Sequence, residues 1–362
     1  MMIKRVLLAS LAGLLLAAPL ANAADAMDPQ LREKARRAVD GGLHYLRGQQ
    51  AENGSVMNSV GITALSLRAF LESHRGYNEN DGPFVTRQVE YILGKANEDG
   101  SISESLQNRS YNTAVVLSAL AATKNPKYEP VIAAGRKFLT GHQIDEGEGY
   151  KPDHRYYGGL GYGGDERPDM SNLYIALEGL KAAATDPKDP VWDKAMVFVS
   201  RSQNRSESND QPFAANDGGF VYMPGWNPPE FENGTGSYGG MSAAGLISLL
   251  FAGVDKSDPR VQAAYQWMTT NYTLDVNPGT NAKHGLFYFY NAFAKVMAAY
   301  GEDEFIDGKG QKRNWRNELA QRLVSLQQPD GSWVNKESNK WWEDKPPLVT
   351  AWSVIALEHA LK

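Results

Sequence analysis

The chain has 362 residues, 42% hydrophobic, 10% aromatic and 22% charged, with a formal net charge of −5. That composition supports a large globular core and excludes a disordered or fibrous chain. The mild acidity opposes nucleic-acid binding, and the lack of cysteine excludes a disulfide framework, a thiolate nucleophile and any cysteine-ligated metal.

Residues 1–23 read as a secretory leader: Lys4 and Arg5, the apolar stretch Val6 to Leu20, then Ala21-Asn22-Ala23 as a small-residue cleavage site. The apolar part is short for a membrane span. The expectation is an exported, periplasmic or secreted protein whose single domain occupies residues 24–362. Removing the leader leaves 35 basic against 42 acidic residues, a net charge of −7.

From there a two-part unit recurs. An amphipathic run comes first, then a Gln, a Gly turn and a loop, and then a nearly all-apolar run opened by Thr-Ala or its equivalent. The first copy is Leu31 to Leu46, Gln50, Asn53-Gly54 and Ile62 to Leu71. The second is Val85 to Leu93, Asp99-Gly100 and Thr113 to Leu120. The third is Val131 to Leu139, Gln143, a Gly- and Tyr-rich loop, and Asn172 to Leu180. The fourth is Val191 to Val199, Gln203, Asp217-Gly218 and Ser242 to Leu250. The fifth, Val261 to Met268 with Leu286 to Ala299, lacks the Gln and the Gly turn. The sixth is Leu319 to Leu326, Gln327, Asp330-Gly331-Ser332-Trp333 and Thr350 to Leu357.

One-sided runs at the helical period make outer helices, and runs apolar all round make inner ones. Asp28-Pro29, Asn125-Pro126, Asp189-Pro190 and Asp258-Pro259 each stand before an outer run as N-cap and first helical residue. Six helix pairs suffice to close a ring. Alternation of inner and outer helices would then gather the long outer-to-inner loops at one end, where a rigid scaffold presents function.

Gln327 to Trp333 resembles the QW repeat of squalene and hopene cyclases, and the Thr-Ala openings resemble inner helices of the prenyltransferase and squalene-cyclase repeat superfamily. The likeness covers the chain after the leader and looks closest to the exported single-toroid bacterial type. It implies an all-α fold, an α/α toroid with a central cavity. The cyclases' DXDD acid motif precedes a Thr-Ala helix; the matching stretch here is Arg109-Ser110-Tyr111-Asn112, with all three acids missing. No DDXXD cluster is present, and the cysteine of the prenyltransferase zinc site is lacking. Proton-initiated squalene cyclisation is therefore not expected.

The remaining chemical signal is aromatic. Tyr156, Tyr157 and Tyr162 lie in the third loop, Tyr222, Trp226, Phe231 and Tyr238 in the fourth, Tyr288 and Tyr290 on the fifth inner helix, and Trp341 and Trp342 in the sixth loop. Of these, Tyr156, Tyr157, Tyr162, Trp226, Tyr238, Tyr290, Trp341 and Trp342 are the candidate ligand-binding residues. The competing reading is that they cap the core. His284, Tyr288, Asp165, Glu343 and Asp344 are the candidate acid–base groups, against the plainer reading of solvated loop charges. His142, Asp145, Glu146, Glu148, Asp153 and His154 have no fixed metal-ligand spacing, so neither metal nor cofactor is assigned.

Three functions follow. The first is binding or transformation of a terpenoid or other apolar ligand. The second is a carbohydrate-active enzyme, a polysaccharide lyase or hydrolase that stacks a glycan on the aromatic mouth. The third is a non-catalytic partner-binding module. Catalysis and simple binding both stay open, as does the oligomeric state.

Overall fold

The structure is a computed structural model and describes residues 27–163, 167–280 and 283–362. The expected leader lies outside the described residues. Twelve α-helices run through them: α1 (Pro29–Gly48), α2 (Val60–Leu71), α3 (Pro83–Leu93), α4 (Arg109–Ala122), α5 (Glu129–Thr140), α6 (Met170–Ala182), α7 (Pro190–Ser202), α8 (Gly239–Phe251), α9 (Pro259–Thr270), α10 (Leu286–Tyr300), α11 (Trp315–Leu326) and α12 (Pro346–Leu361). The even-numbered helices pack side by side in chain order, and α12 returns to pack on α2, closing an inner ring. The odd-numbered helices lie outside it, each against an inner neighbour.

Burial follows the two sequence patterns. Helix α1 buries Ala35, Ala38, Val39, Gly42, Leu43 and Leu46, a single stripe at helical spacing, whereas α2 buries every residue from Val60 to Phe70. Asp28, Asp189 and Asp258 cap α1, α7 and α9 as expected, each followed by proline. Asn125 differs: it caps the short 3-10 turn Pro126–Tyr128, and α5 begins only at Glu129. The expected all-α content gains one small antiparallel hairpin, β1 (Glu304–Ile306) with β2 (Lys312–Asn314), between α10 and α11. Gly308 at its tip abuts the Thr270 carbonyl at the end of α9, so the hairpin fills part of the outer layer.

The repeated Gln, Gly and Thr prove to be one fastening device. The Gln side chain donates to a carbonyl near the start of the following outer helix: Gln50 to Phe84 at 3.1 Å, Gln143 to Val191 at 3.0 Å, and Gln203 to Arg260 at 2.9 Å. Gln143, Gln203 and Gln327 also bond the carbonyl of their own turn glycine, Gly158, Gly218 and Gly331. Those glycines have positive φ and lie so close to the next outer helix that a Cβ would collide with its backbone. The opening Thr or Ser accepts the backbone N–H two residues beyond the turn glycine: Val56 to Thr63 at 2.9 Å, Ile102 to Thr113 at 2.8 Å, Phe220 to Ser242 at 3.0 Å and Trp333 to Thr350 at 3.0 Å. The first, fourth and sixth units thereby tie their turns both to their own inner helix and to the next outer one. The turns at Asp99, Asp217 and Asp330 accordingly share one end of the ring.

Across the ring interior, Glu178 of α6 binds Arg68 of α2 at 3.1 Å and Lys295 of α10 at 2.8 Å. Arg68 also meets Glu72 at 2.7 Å. Burial opposes the charge on Glu178, but the two cations override it and hold the carboxyl well below the usual carboxylate range. Three alternate inner helices are thus joined through one carboxylate.

Candidate functional site

All six inner helices start at the end where the outer-to-inner loops cross, and there they surround a cavity of about 360 Å³. Helix α2 supplies Ile62 and Leu65, α4 supplies Tyr111 and Asn112, and α6 supplies Ser171. Met241 comes from α8, Tyr288 from α10, and Leu348 and Trp352 from α12. The crossing loops complete the wall with Glu104, Tyr162, Tyr222, Phe231, Tyr238, Trp341 and Trp342.

The rings pack against one another. Tyr111 and Tyr162 have centroids 6.0 Å apart, and Tyr288 meets Trp352 edge-on at 5.9 Å. Phe231 lies between Tyr238 at 4.3 Å and a stacked Trp341 at 5.2 Å. Such pairs fix ring positions as well as covering area. Trp341 and Trp342 both have positive φ, 51° and 63°, unusual for large side chains, and are 36% and 54% exposed at the rim. Backbone strain of this kind concentrates at ligand clamps.

Polar groups in the wall mostly bond each other. Glu104 accepts from Asn112 Nδ2 at 3.0 Å and from the Val60 N–H at 3.3 Å. Asn277 accepts the Gly240 N–H at 3.0 Å and donates to the His284 carbonyl at 3.1 Å. Asp169, buried behind the wall, caps α6 through the Asn172 N–H at 2.8 Å and accepts Asn172 Nδ2 at 2.6 Å. Burial pushes its carboxyl up to about 6, against hydrogen bonds from Asn172 and Tyr222 that favour the charged form.

Of the sequence-derived candidates, Tyr162, Tyr238, Tyr288, Trp341 and Trp342 line this cavity. Asp165 lies outside the described residues. His284 sits beside Trp341, ring centroids 6.4 Å apart, with Nδ1 on the Ser338 hydroxyl at 2.7 Å. Tyr290 turns into the layer between rings, its hydroxyl donating to the Leu274 carbonyl and meeting Arg322 at 3.3 Å. Two positions along a helix span about 200° of rotation, so Tyr288 and Tyr290 cannot share a face. Tyr156 packs on His154 and Arg155, and Tyr157 donates to Glu146, which with Asp145 pairs with Lys194 of α7. Trp226 rests on Tyr222 at 5.9 Å and is 40% exposed. None of these four rings is part of the cavity wall.

The acids at Glu343 and Asp344 have structural partners. Glu343 accepts the N–H groups of Leu286, Phe287 and Tyr288 at 3.1, 2.7 and 2.9 Å, capping α10 from another loop. Burial pushes its carboxyl up to about 7. Asp344 pairs with Lys345 at 2.7 Å. The cavity also uses residues outside the candidate set: Tyr111, Tyr222, Phe231, Trp352 and Glu104. Trp352 belongs to an inner run that reads as core, and Tyr111 occupies the stretch where acids would stand in the cyclases. There Arg109 donates to the Gly163 carbonyl at 2.9 Å, and Asn112 bonds Ser103 at 3.0 Å.

Among the described residues, no group of His, Asp and Glu side chains is arranged to hold a metal ion, and no helix is long and apolar enough to cross a membrane. No family model matches the chain, and no curated protein is significantly similar to it. Solved structures are similar in fold. A protein from Actinoplanes aligns over 91% of this chain and 100% of its own, at 19% identity and a TM-score of 0.56. A variant of the type II terpene cyclase MstE from Scytonema, in complex with its product merosterolic acid A, aligns over 92% of this chain and 98% of its own, at 12% identity and a TM-score of 0.54. A second MstE variant, holding its substrate geranylgeranyl dihydroxybenzoate, gives 12% identity and a TM-score of 0.52 over the same shares of the two chains. The chain therefore has the α/α toroid fold of type II terpene cyclases.

Proposed function

We propose that this protein binds or transforms a terpenoid or other apolar ligand in the cavity at the loop-bearing end of the toroid, without proton-initiated squalene cyclisation. The observation that carries the reading is the wall itself: a cavity of about 360 Å³ faced by nine aromatic residues, from Tyr111 and Tyr162 to Trp342 and Trp352. Concave, largely apolar space with a few fixed polar groups is what a small hydrophobic ligand requires. The terpenoids held by the MstE structures agree with this choice.

Two features oppose squalene chemistry. The opening of α4 presents Tyr111 and Asn112 to the cavity and no carboxylate of its own. At about 20–30 Å³ per non-hydrogen atom, the space suits a ligand on the order of 10–20 such atoms, fewer than the carbons of squalene. A glycan would need many free donors and acceptors, whereas the Glu104, Asn112 and Asn277 side chains already satisfy each other or the backbone. The test is organic extraction and mass spectrometry of ligands co-purifying with the protein, followed by calorimetric titration with isoprenoid and oligosaccharide panels. Saturable isoprenoid binding supports the proposal; binding of oligosaccharides alone refutes it.

A further inference from the structure

We infer that the ligand of this cavity carries an uncharged oxygen, a hydroxyl or carbonyl, which accepts a hydrogen bond from the Tyr288 phenol. The inference rests on the apolar-ligand reading and narrows it to oxygenated isoprenoids of about C10 to C15.

Tyr288 stands in the first turn of α10 and lines the cavity. Its hydroxyl is buried, which holds the phenol protonated as a donor, and it has no partner within hydrogen-bonding geometry, the Ser171 side chain being the polar group that approaches it. Tyr111, Tyr162, Tyr222 and Tyr238 line the same cavity, so Tyr288 is one of five phenols in its wall. A buried donor without an acceptor is costly to keep, and the partner it lacks is an oxygen. Two of the wall's side-chain oxygen acceptors are committed elsewhere: Asn277 to Gly240, Glu104 to Val60 and Asn112. A ligand oxygen would complete the set.

The charge pattern selects a neutral head. Helix N-termini facing the cavity would favour an anion, but they already carry carboxylates: Asp169 on α6, Glu343 on α10, and Glu104 against the first N–H of α2. Among the described residues no Lys, Arg or His lines the cavity. A carboxylate or phosphate head would meet like charge with no counter-ion. The opposite end of the ring, where Arg68 and Lys295 lie, is separated from this space by their pairing with Glu178.

Matched probes test this. Farnesol and farnesene share a C15 skeleton and differ by one hydroxyl, and farnesoic acid adds the charged head. Their dissociation constants are measured by calorimetry for the full exported protein and for Tyr288→Phe. The expected result is farnesol binding roughly fivefold to tenfold tighter than farnesene, as one hydrogen bond allows. Tyr288→Phe should erase that margin and leave farnesene unchanged. Trp352→Leu, which alters the wall and spares the phenol, should weaken both probes together; it provides the comparison if Tyr288→Phe does not fold. Equal binding of farnesol and farnesene overturns the inference and leaves the apolar-ligand reading standing. Tightest binding of farnesoic acid overturns the neutral head. Failure of all three to bind refutes the apolar-ligand reading itself.

Discussion

Gly331, in the last repeat, lies against the backbone of Gly41 in α1, so near that a Cβ on Gly331 would collide with the Gly41 carbonyl. Gln327 reinforces the contact by donating to the Ala38 carbonyl at 2.8 Å. The end of the chain is thereby fastened to its beginning by the device that joins successive repeats. Gly331→Ala, at φ 87°, should lower stability by more than the roughly 1–3 kcal/mol of local strain, because the closing contact is lost as well. Gly310→Ala has a similar φ of 76° with nothing nearby, and so measures the strain alone. Equal losses of melting temperature in the two variants would show that the contact contributes nothing.

Much of this ring is legible in the sequence because the fastening residues are chemically restricted. Only a glycine tolerates the turn, only a side-chain amide spans two carbonyls, and Thr or Ser supplies the acceptor at the inner helix start. The fifth copy lacks these, and the hairpin at Phe305 and Gly308 that packs beside α9 has no counterpart in the other repeats. The site is legible only in part. Tyr162, Tyr238, Tyr288, Trp341 and Trp342 stand just before or just inside inner helices, where alternation places them at the mouth. Tyr290 follows Tyr288 by two residues, and helical rotation sends it away. Glu343 reads as a loose loop acid because the three N–H groups it caps lie more than fifty residues earlier, a relation that local pattern does not carry.

The ion triad sets a second test. Arg68, Glu178 and Lys295 have side chains only 7%, 11% and 3% exposed. Removing the shared carboxylate leaves Lys295 without its carboxylate partner and Arg68 with Glu72 alone. Glu178→Gln should therefore destabilise by about 3–5 kcal/mol, whereas replacing all three by apolar residues of similar volume should cost much less. Chemical denaturation distinguishes the cases; a triple variant no more stable than Glu178→Gln would contradict the reasoning.

Burial pushes the Glu343 carboxyl up to about 7 and the His359 imidazole down to about 4. A raised carboxyl binds more protons in the folded state, so its contribution is full below the ordinary carboxylate range and is lost as pH rises through about 7. A depressed imidazole acts oppositely: its contribution is present above the ordinary histidine value and lost as pH falls towards about 4. Asp169 acts in the same sense as Glu343. Glu343→Gln removes one of the offsetting groups. Its melting temperature should fall more steeply than the wild type's between about pH 7.5 and about pH 5. Parallel curves for the two proteins would contradict the assignment.

Tyr290 and Trp342 separate stability from binding. The Tyr290 hydroxyl is tied to Leu274 and Arg322 outside the cavity, and Tyr290→Phe should cost about 0.5–1.5 kcal/mol of stability with no change in ligand affinity. Trp342 is 54% exposed on the rim, and Trp342→Ala should leave the melting temperature within a degree or so while weakening an isoprenoid ligand roughly twofold to tenfold. Loss of affinity in proportion to stability in both variants would mean that the rim rings only cover the core.

The most direct measurement is a crystal structure of the protein soaked with farnesol. The account predicts ligand density between Tyr111, Tyr288 and Trp352, with the alcohol oxygen within hydrogen-bonding distance of the Tyr288 hydroxyl. An empty cavity at saturating ligand, or farnesol bound only outside the ring of inner-helix starts, would contradict it.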